Sequence, residues 1–208
     1  MFVNCKETTT QDLYKILIGS IVPRPIAWVS TVGSNGLNNL APFSFFNCFG
    51  VDPPMVGFAP AFKSITRDGD ELIRVPKDTL RNIIDTKEFV VNLVSRKLTE
   101  QMNKSSAEYP PDVSEFEKVG VTPAPSLKVK PPRVAESLVN LECTLIQIIQ
   151  HGNNNLVLGE IVGIHLDENV ITEKHHINND VLQAVGRMSG SCYTTTTDGL
   201  FEMIRPTL

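Results

Sequence analysis

Residues 24–54 read RPIAWVSTVGSNGLNNLAPFSFFNCFGVDPP, and this stretch decides the fold. An apolar run over 25–32 ends in Gly33-Ser34-Asn35-Gly36, residues that accept the positive φ a tight reversal needs, so the spacing predicts strand–turn–strand. The chain returns over 38–49 with Ser44, Asn47 and Cys48 threaded between Phe43, Phe45, Phe46 and Phe49. A strand built only to bury one face alternates more cleanly. Two readings fit: a core strand that tolerates a few polar residues, or a wall for a flat ligand with a hydrogen-bonding edge. Pro42 removes a ladder donor nearby, which leaves amides from Ser44 to Cys48 able to face a ligand instead of a strand. Pro53 and Pro54 open a third strand over 54–60, where a missing N–H is tolerated.

Outward from this stretch the pattern stays rich in strands. TQDLYKILI (10–18) sets Leu13, Ile16 and Leu17 on one side behind Thr10 as N-cap, a short amphipathic helix. Residues 61–76 are charged, turn at Asp68-Gly69, and read as a connection in the form of a small hairpin or lid. From Asp78, a good cap, Leu80, Ile83 and Ile84 share a helical face. EFVVNLVS is a strand, and KLTEQMNKSSA a helix with Leu98 and Met102 inward. Six prolines within 109–133 predict a semi-rigid run of turns. Residues 137–149 set Leu141, Cys143 and Leu145 against Glu142 and Thr144; HGNNN turns and LVLGEIVGIHLDE returns, a long hairpin. NNDVLQAVG is a short helix and SCYTTTTDGLFEMIRP a last strand pair. Many strands without βαβ alternation predict a mainly β fold, a β-barrel with peripheral helices, rather than a doubly wound sheet.

The chain of 208 residues is long enough for a full core without staples and reads as a single domain over 1–208. Its 41% hydrophobic and 20% charged residues are those of an ordinary globular protein. A net charge of −4 with scattered Lys and Arg argues against nucleic-acid and anionic-membrane surfaces, while a local basic pocket for a phosphate stays open. The apolar runs are too short to span a bilayer and MFVNCKETTT lacks a signal-peptide core, so a cytoplasmic location is expected. Four widely spaced cysteines without C-x-x-C then predict reduced thiols, with no disulfide or zinc site.

RPIAWVST, G-x-x-N-L-A-P-F-S-F-F-N and DPP, followed by KDTLRNI with EFVVNL and then VGRMSGSCY, resemble the flavin reductase-like proteins with an FMN-binding split barrel. Within that family the likeness is to the flavoredoxin type and to the reductase components of two-component monooxygenases. It covers residues 10–205 and is weakest over 61–76. The resemblance implies a split barrel that dimerises around the flavin, FMN as cofactor, and NAD(P)H as a transient reductant. It also implies that electrons leave to free flavin, a partner oxygenase or another redox protein. On the same warrant Ser44, Phe45, Phe46, Asn47 and Cys48 contact the flavin, and Thr31, Lys77 and Thr79 serve its phosphate. Lys77 and Thr79 also stand at a predicted helix start, where free N–H groups and the dipole favour an anion, although Asp78 as a plain cap and a solvated Lys77 fit the same letters. Arg24, Arg187 and Tyr193 are candidates for the open, substrate side, against structural roles as rim or surface residues. Trp28 reads as core and Cys48 as a small wall residue without chemistry of its own.

No acid, base, nucleophile or metal constellation stands out: H-E-x-x-H, the P-loop, G-x-S-x-G, the EF-hand loop and the Rossmann glycine fingerprint are all missing, and His175-His176 reads as a solvated loop. A flavin enzyme needs none of these, because the cofactor carries the reactive atom. Two functions therefore stand side by side: an FMN-dependent oxidoreductase fed by NAD(P)H, and a flavoredoxin-type electron carrier without such activity.

Overall fold

The computed structural model describes residues 1–67, 71–110 and 112–206. The chain enters through helix α1 (Thr10–Ser20) and the two-residue strand β1 (Arg24–Pro25), then runs into β2 (Ala27–Val32). Both faces of β2 are buried. Ala27 and Val29 join one apolar cluster and Trp28 another, which is why this strand reads as an unbroken apolar run. The Gly33–Gly36 turn leads back into β3 (Asn38–Phe43), with Gly36 at φ 78. Next come β4 (Phe46–Val51) and β5 (Pro54–Phe58), an antiparallel pair with a bulge between Cys48 and Gly50. The strand expected over 38–49 is therefore two strands, broken at Ser44-Phe45.

The charged connection forms a hairpin of β6 (Phe62–Arg67) and β7 (Glu71–Pro76); the expected Asp68-Gly69 turn lies outside the described residues. Helix α2 (Asp78–Thr86) and β8 (Glu88–Leu93) follow. A 3₁₀ turn at Arg96–Leu98 leads into α3 (Thr99–Lys104), and α4 (Glu115–Val119) interrupts the proline-rich stretch where only turns were expected. Two-residue strands β9 (Pro123–Ala124) and β10 (Arg133–Val134) pair beyond it. The long hairpin is β11 (Val139–His151) and β12 (Asn154–Leu166). After α5 (Asn179–Leu182), β13 (Val185–Arg187) and β14 (Tyr193–Thr195) join β1 in a three-stranded sheet, so the last pair forms with β13 and not within the tail.

Seven strands form one antiparallel sheet in the order β3-β2-β8-β11-β12-β5-β4. Its two edges are β3 and β4, which are consecutive in the chain. Laid flat, seven strands would hold those edges about 29 Å apart. The three peptide steps from Phe43 to Phe46 reach no further than about 11 Å. The sheet is therefore rolled, with its edges brought together at that end, which is a split barrel in outline. Phe58, Phe89, Val91, Leu80 and Ile83 fill the interior, with the Phe43 and Phe58 rings 5.1 Å apart. Trp28, Leu40, Met102 and Phe116 pack in a separate cluster, as expected for Trp28, whose Nε1 donates to Ser105 Oγ at 2.8 Å.

Three local expectations shift. The N-cap of α1 is Thr9, whose Oγ1 accepts from the Asp12 N–H at 3.1 Å, and Ile16 and Leu17 stay half exposed because only Ile18 is buried. At α2 the cap position is Lys77, without a capping side chain, and Asp78 turns to Arg81 at 2.5 Å. Ile84 is exposed, while Leu80 and Ile83 are buried.

Glu142 is fully buried on β11. Its carboxylate accepts the N–H groups of Leu127 (2.8 Å), Lys128 (2.5 Å) and Val129 (3.2 Å) and meets His165 Nε2. Burial works against the charge, but the Leu127 N–H, His165 and the Lys128 N–H outweigh it and hold the carboxyl below its usual range. The carboxylate thus pins the 127–129 segment to the sheet. Its contribution is complete above the ordinary carboxylate range and is lost as pH falls through the lowered value. Glu142→Gln leaves N–H groups facing an amide, so urea denaturation should show a loss of about 1–3 kcal/mol at pH 7. That difference should shrink in acid; a deficit independent of pH would contradict this role.

Candidate functional site

Ser44 and Phe45 connect the two edges and belong to neither ladder. The Phe45 carbonyl accepts from the Ala59 N–H at 2.9 Å. Among the described residues, neither the Ser44 nor the Phe45 N–H has a protein acceptor. A cavity of about 330 Å³ opens beside them. Leu17 and Ile21 wall one side and Ser44, Phe45, Phe46 and Asn47 the other; Arg24 is the single ionisable side chain on its lining. Apolar walls with free amides at one edge are what a flat, heteroaromatic ring requires.

A second cavity, about 310 Å³, begins at Pro42 and Phe43, the residues just before the step. Lys63, Lys77 and Thr79 line it, beside the start of α2. The first-turn N–H groups of a helix lack intrahelical acceptors and favour an anion. Thr79 is buried and its Oγ1 accepts from Asn39 Nδ2 at 3.0 Å, which leaves its O–H proton for another partner. Three carboxylates share the wall: Asp78, Glu108 and Glu115. Asp78 is engaged by Arg81. Burial pushes the Glu115 carboxyl up, against the hydrogen bond it accepts from the Leu40 N–H at 3.0 Å and with Asp78 adding to the rise. The wall thus carries two lysines and three carboxylates, of which Asp78 pairs with Arg81 and Glu115 accepts the Leu40 N–H. Residues 42–47 run along both cavities, so the arrangement can hold an elongated molecule that is flat at one end and anionic at the other.

The structure brings Ser44, Phe45, Phe46 and Asn47 together on one cavity, and Lys77 and Thr79 on its neighbour. Cys48 lines neither; it is exposed, with Sγ 3.5 Å from the Gly50 carbonyl oxygen. Thr31 lines neither cavity: fully buried, its Oγ1 accepts from Asn82 Nδ2 of α2 at 3.0 Å. Arg24 is buried and donates to the backbone carbonyls of Ile18, Ile21 and Met188, with no carboxylate among the described residues paired to it. Arg187 and Tyr193 are register partners on β13 and β14, with the guanidinium 4.5 Å over the ring and bonded to the phenol oxygen. Tyr193 also lines a separate cavity of about 490 Å³ with Arg96, Thr99 and Asn103. Lys63, Asn39 and Glu115 are site residues that the sequence pattern does not single out; Lys63 alone carries a signal, a positive charge within the connecting hairpin. Among the described residues no group of three His, Cys, Asp or Glu side chains is arranged for a metal, and no helix is long and apolar enough to cross a membrane.

Residues 18–183 match the flavin reductase like domain, and the chain belongs to that family. A protein of Aquifex aeolicus (strain VF5) is 40% identical over 188 residues, 90% of this chain and 92% of its own. Nitrilotriacetate monooxygenase component B from Bacillus cereus has the same fold with a TM-score of 0.87 at 32% identity, covering 98% of both chains. The 2-nitrobenzoate 2-nitroreductase NbaA of Pseudomonas fluorescens aligns with a TM-score of 0.86 at 34% identity, over 100% of this chain and 98% of its own. The fold is a split barrel, and the family implies flavin binding. The two unpartnered amides beside an apolar cavity fit the pyrimidine edge and ring of a flavin, and the lysine-lined cavity fits its phosphate.

Proposed function

We propose that the protein is an FMN-binding oxidoreductase that passes electrons from NAD(P)H through the flavin to an acceptor. The observation that carries this reading is the continuous wall of residues 42–47, which runs from an apolar cavity to one that presents Lys63, Lys77 and Thr79 beside the start of α2. The ring would rest against Phe45 and Phe46, with its polar edge on the Ser44 and Phe45 amides. Lys77, Lys63, Thr79 and the α2 start would hold a single phosphate. When bound, the flavin supplies the atom that accepts hydride; the chain's residues bind it, orient it and keep water from its walls. Arg187 and Tyr193 would border the approach of reductant or acceptor. Similarity to a monooxygenase component supports a partner oxygenase as acceptor, and similarity to a nitroreductase supports an aromatic nitro compound.

A homodimer completes this reading, because the ring cavity is open and apolar side chains stand exposed around it. Phe45 in the step and Phe49 on β4 are exposed, and Ile146, Ile149 and Ile164 stand out on the long hairpin. A second copy over these residues would cover both. The second functional reading is an electron carrier that does not react with NAD(P)H, which the same two cavities would serve equally.

The purified protein should be yellow, and its flavin absorbance should bleach on anaerobic addition of NADH or NADPH. Colour without bleaching would select the carrier, and a colourless protein that takes up no added flavin would remove both readings. Lys77→Ala removes a charge-assisted hydrogen bond worth roughly 1.5–3 kcal/mol. FMN affinity should then weaken by about one to two decades in a fluorescence titration, with riboflavin affinity nearly unchanged. Equal weakening of both would move the phosphate elsewhere.

Sedimentation should show two chains per particle; a monomer that retains FMN fully would contradict the shared-groove arrangement.

A further inference from the structure

Arg24 is 6% exposed, and every group that it touches is neutral. Its Nη1 donates to the carbonyls of Ile18 (2.7 Å) and Ile21 (2.8 Å), its Nη2 to that of Met188 (3.2 Å), and its Nε lies 3.5 Å from Ser44 Oγ. Among the described residues no carboxylate comes within ion-pair distance of it. The carbonyls at the end of α1 offset part of the cost of this buried charge, but no full negative charge answers it. Directly opposite on β13 stands Arg187, the register partner of Arg24, so the two side chains leave the same face of the sheet. Like charges in that position are destabilising. Among the described residues Arg187 also meets only neutral groups, the Tyr193 phenol and the Gly190 carbonyl. Arg24 is thus a buried charge on the lining of an otherwise uncharged cavity, with Arg187 as its register partner on the neighbouring strand.

An anion arriving from solvent would require an exposed cation. Arg24 is buried in the wall, and only a group already seated in the cavity can use its charge. A flavin ring that takes up two electrons and one proton, both supplied by one hydride, gains one negative charge. We propose that Arg24, with Arg187 beside it, stabilises that charge and so raises the reduction potential of the bound flavin. This rests on the reading that the ring occupies the cavity beside Ser44 and Phe45. Arg24 has a positioning role as well, since it ties α1, the 188 turn and Ser44 together.

The test is the midpoint potential of bound FMN by spectroelectrochemistry, with the affinity for oxidised FMN measured separately, in the natural protein and in Arg24→Gln, Arg24→Lys and Arg187→Gln. Arg24→Gln should weaken binding of reduced flavin at least tenfold more than that of oxidised flavin, which is a potential about 30 mV more negative for a two-electron couple. Arg24→Lys should keep most of the natural potential. Arg187→Gln, which leaves the α1 contacts intact, should shift it in the same direction by less. Equal weakening of both redox forms in Arg24→Gln, with the potential unchanged, would leave a purely structural arginine and overturn the proposal. So would a shift in Arg24→Lys as large as in Arg24→Gln, because the charge is kept there. If Arg24→Gln fails to fold, Arg187→Gln decides: an unchanged potential overturns the proposal. A natural protein that takes up no FMN removes the cofactor reading itself, and this inference with it.

Discussion

The opposite edges of the seven-stranded sheet are joined by only two residues outside its ladders, Ser44 and Phe45. A connection that short forces the sheet to roll, and it also prevents the edges from closing into one ladder where the chain crosses. Backbone groups at such a seam cannot all be paired within the sheet. The molecule manages the edges by placing α4 over β3, where Glu115 accepts the Leu40 N–H, and by turning the residues on either side of the step toward two cavities. The candidate ligand seat is thus a consequence of topology: the same constraint that shapes the barrel leaves the Ser44 and Phe45 amides unpartnered among the described residues.

Around that seam the polar groups divide by role. Inside the protein, the buried side chains of Asn92, Asn140 and Glu142 are bonded to backbone groups and hold the loop segments to the sheet. At the cavities the polar groups keep spare capacity: the Thr79 proton, the lysine ammonium groups, the two amides. Buried groups that specify a fold are normally satisfied, and groups left with capacity mark where a ligand completes the set. Arg24 belongs to both kinds, since its hydrogen bonds are met and its charge is not.

Much of this was legible from the letters. The doubly buried β2, the Gly33–Gly36 reversal, α2, the Glu88–Leu93 strand and the long hairpin follow from periodicity and turn residues, because each depends on local pattern. The break at Ser44-Phe45 did not, since aromatic residues continue across it and the partners that distinguish β3 from β4 lie far away in sequence. Helix α4 was hidden by the prolines that flank it. In the site, Ser44 to Asn47, Lys77 and Thr79 line the cavities, whereas Cys48 falls outside them after the strand has resumed. The carbonyl partners of Arg24 come from segments as distant as Met188, and no local pattern carries that information. The same holds for Lys63, which reaches the site from a hairpin whose sequence reads only as charged.

The central claim is that the Ser44–Phe45 seam and the α2 start hold one ligand together. Amide hydrogen exchange, followed residue by residue with and without FMN, tests it most directly. The account predicts slowed exchange at Ser44 and Phe45 and in the first turn of α2, with little change on the outer strands. Protection confined to another surface, or FMN bound with the Ser44 and Phe45 amides exchanging as freely as before, would contradict it.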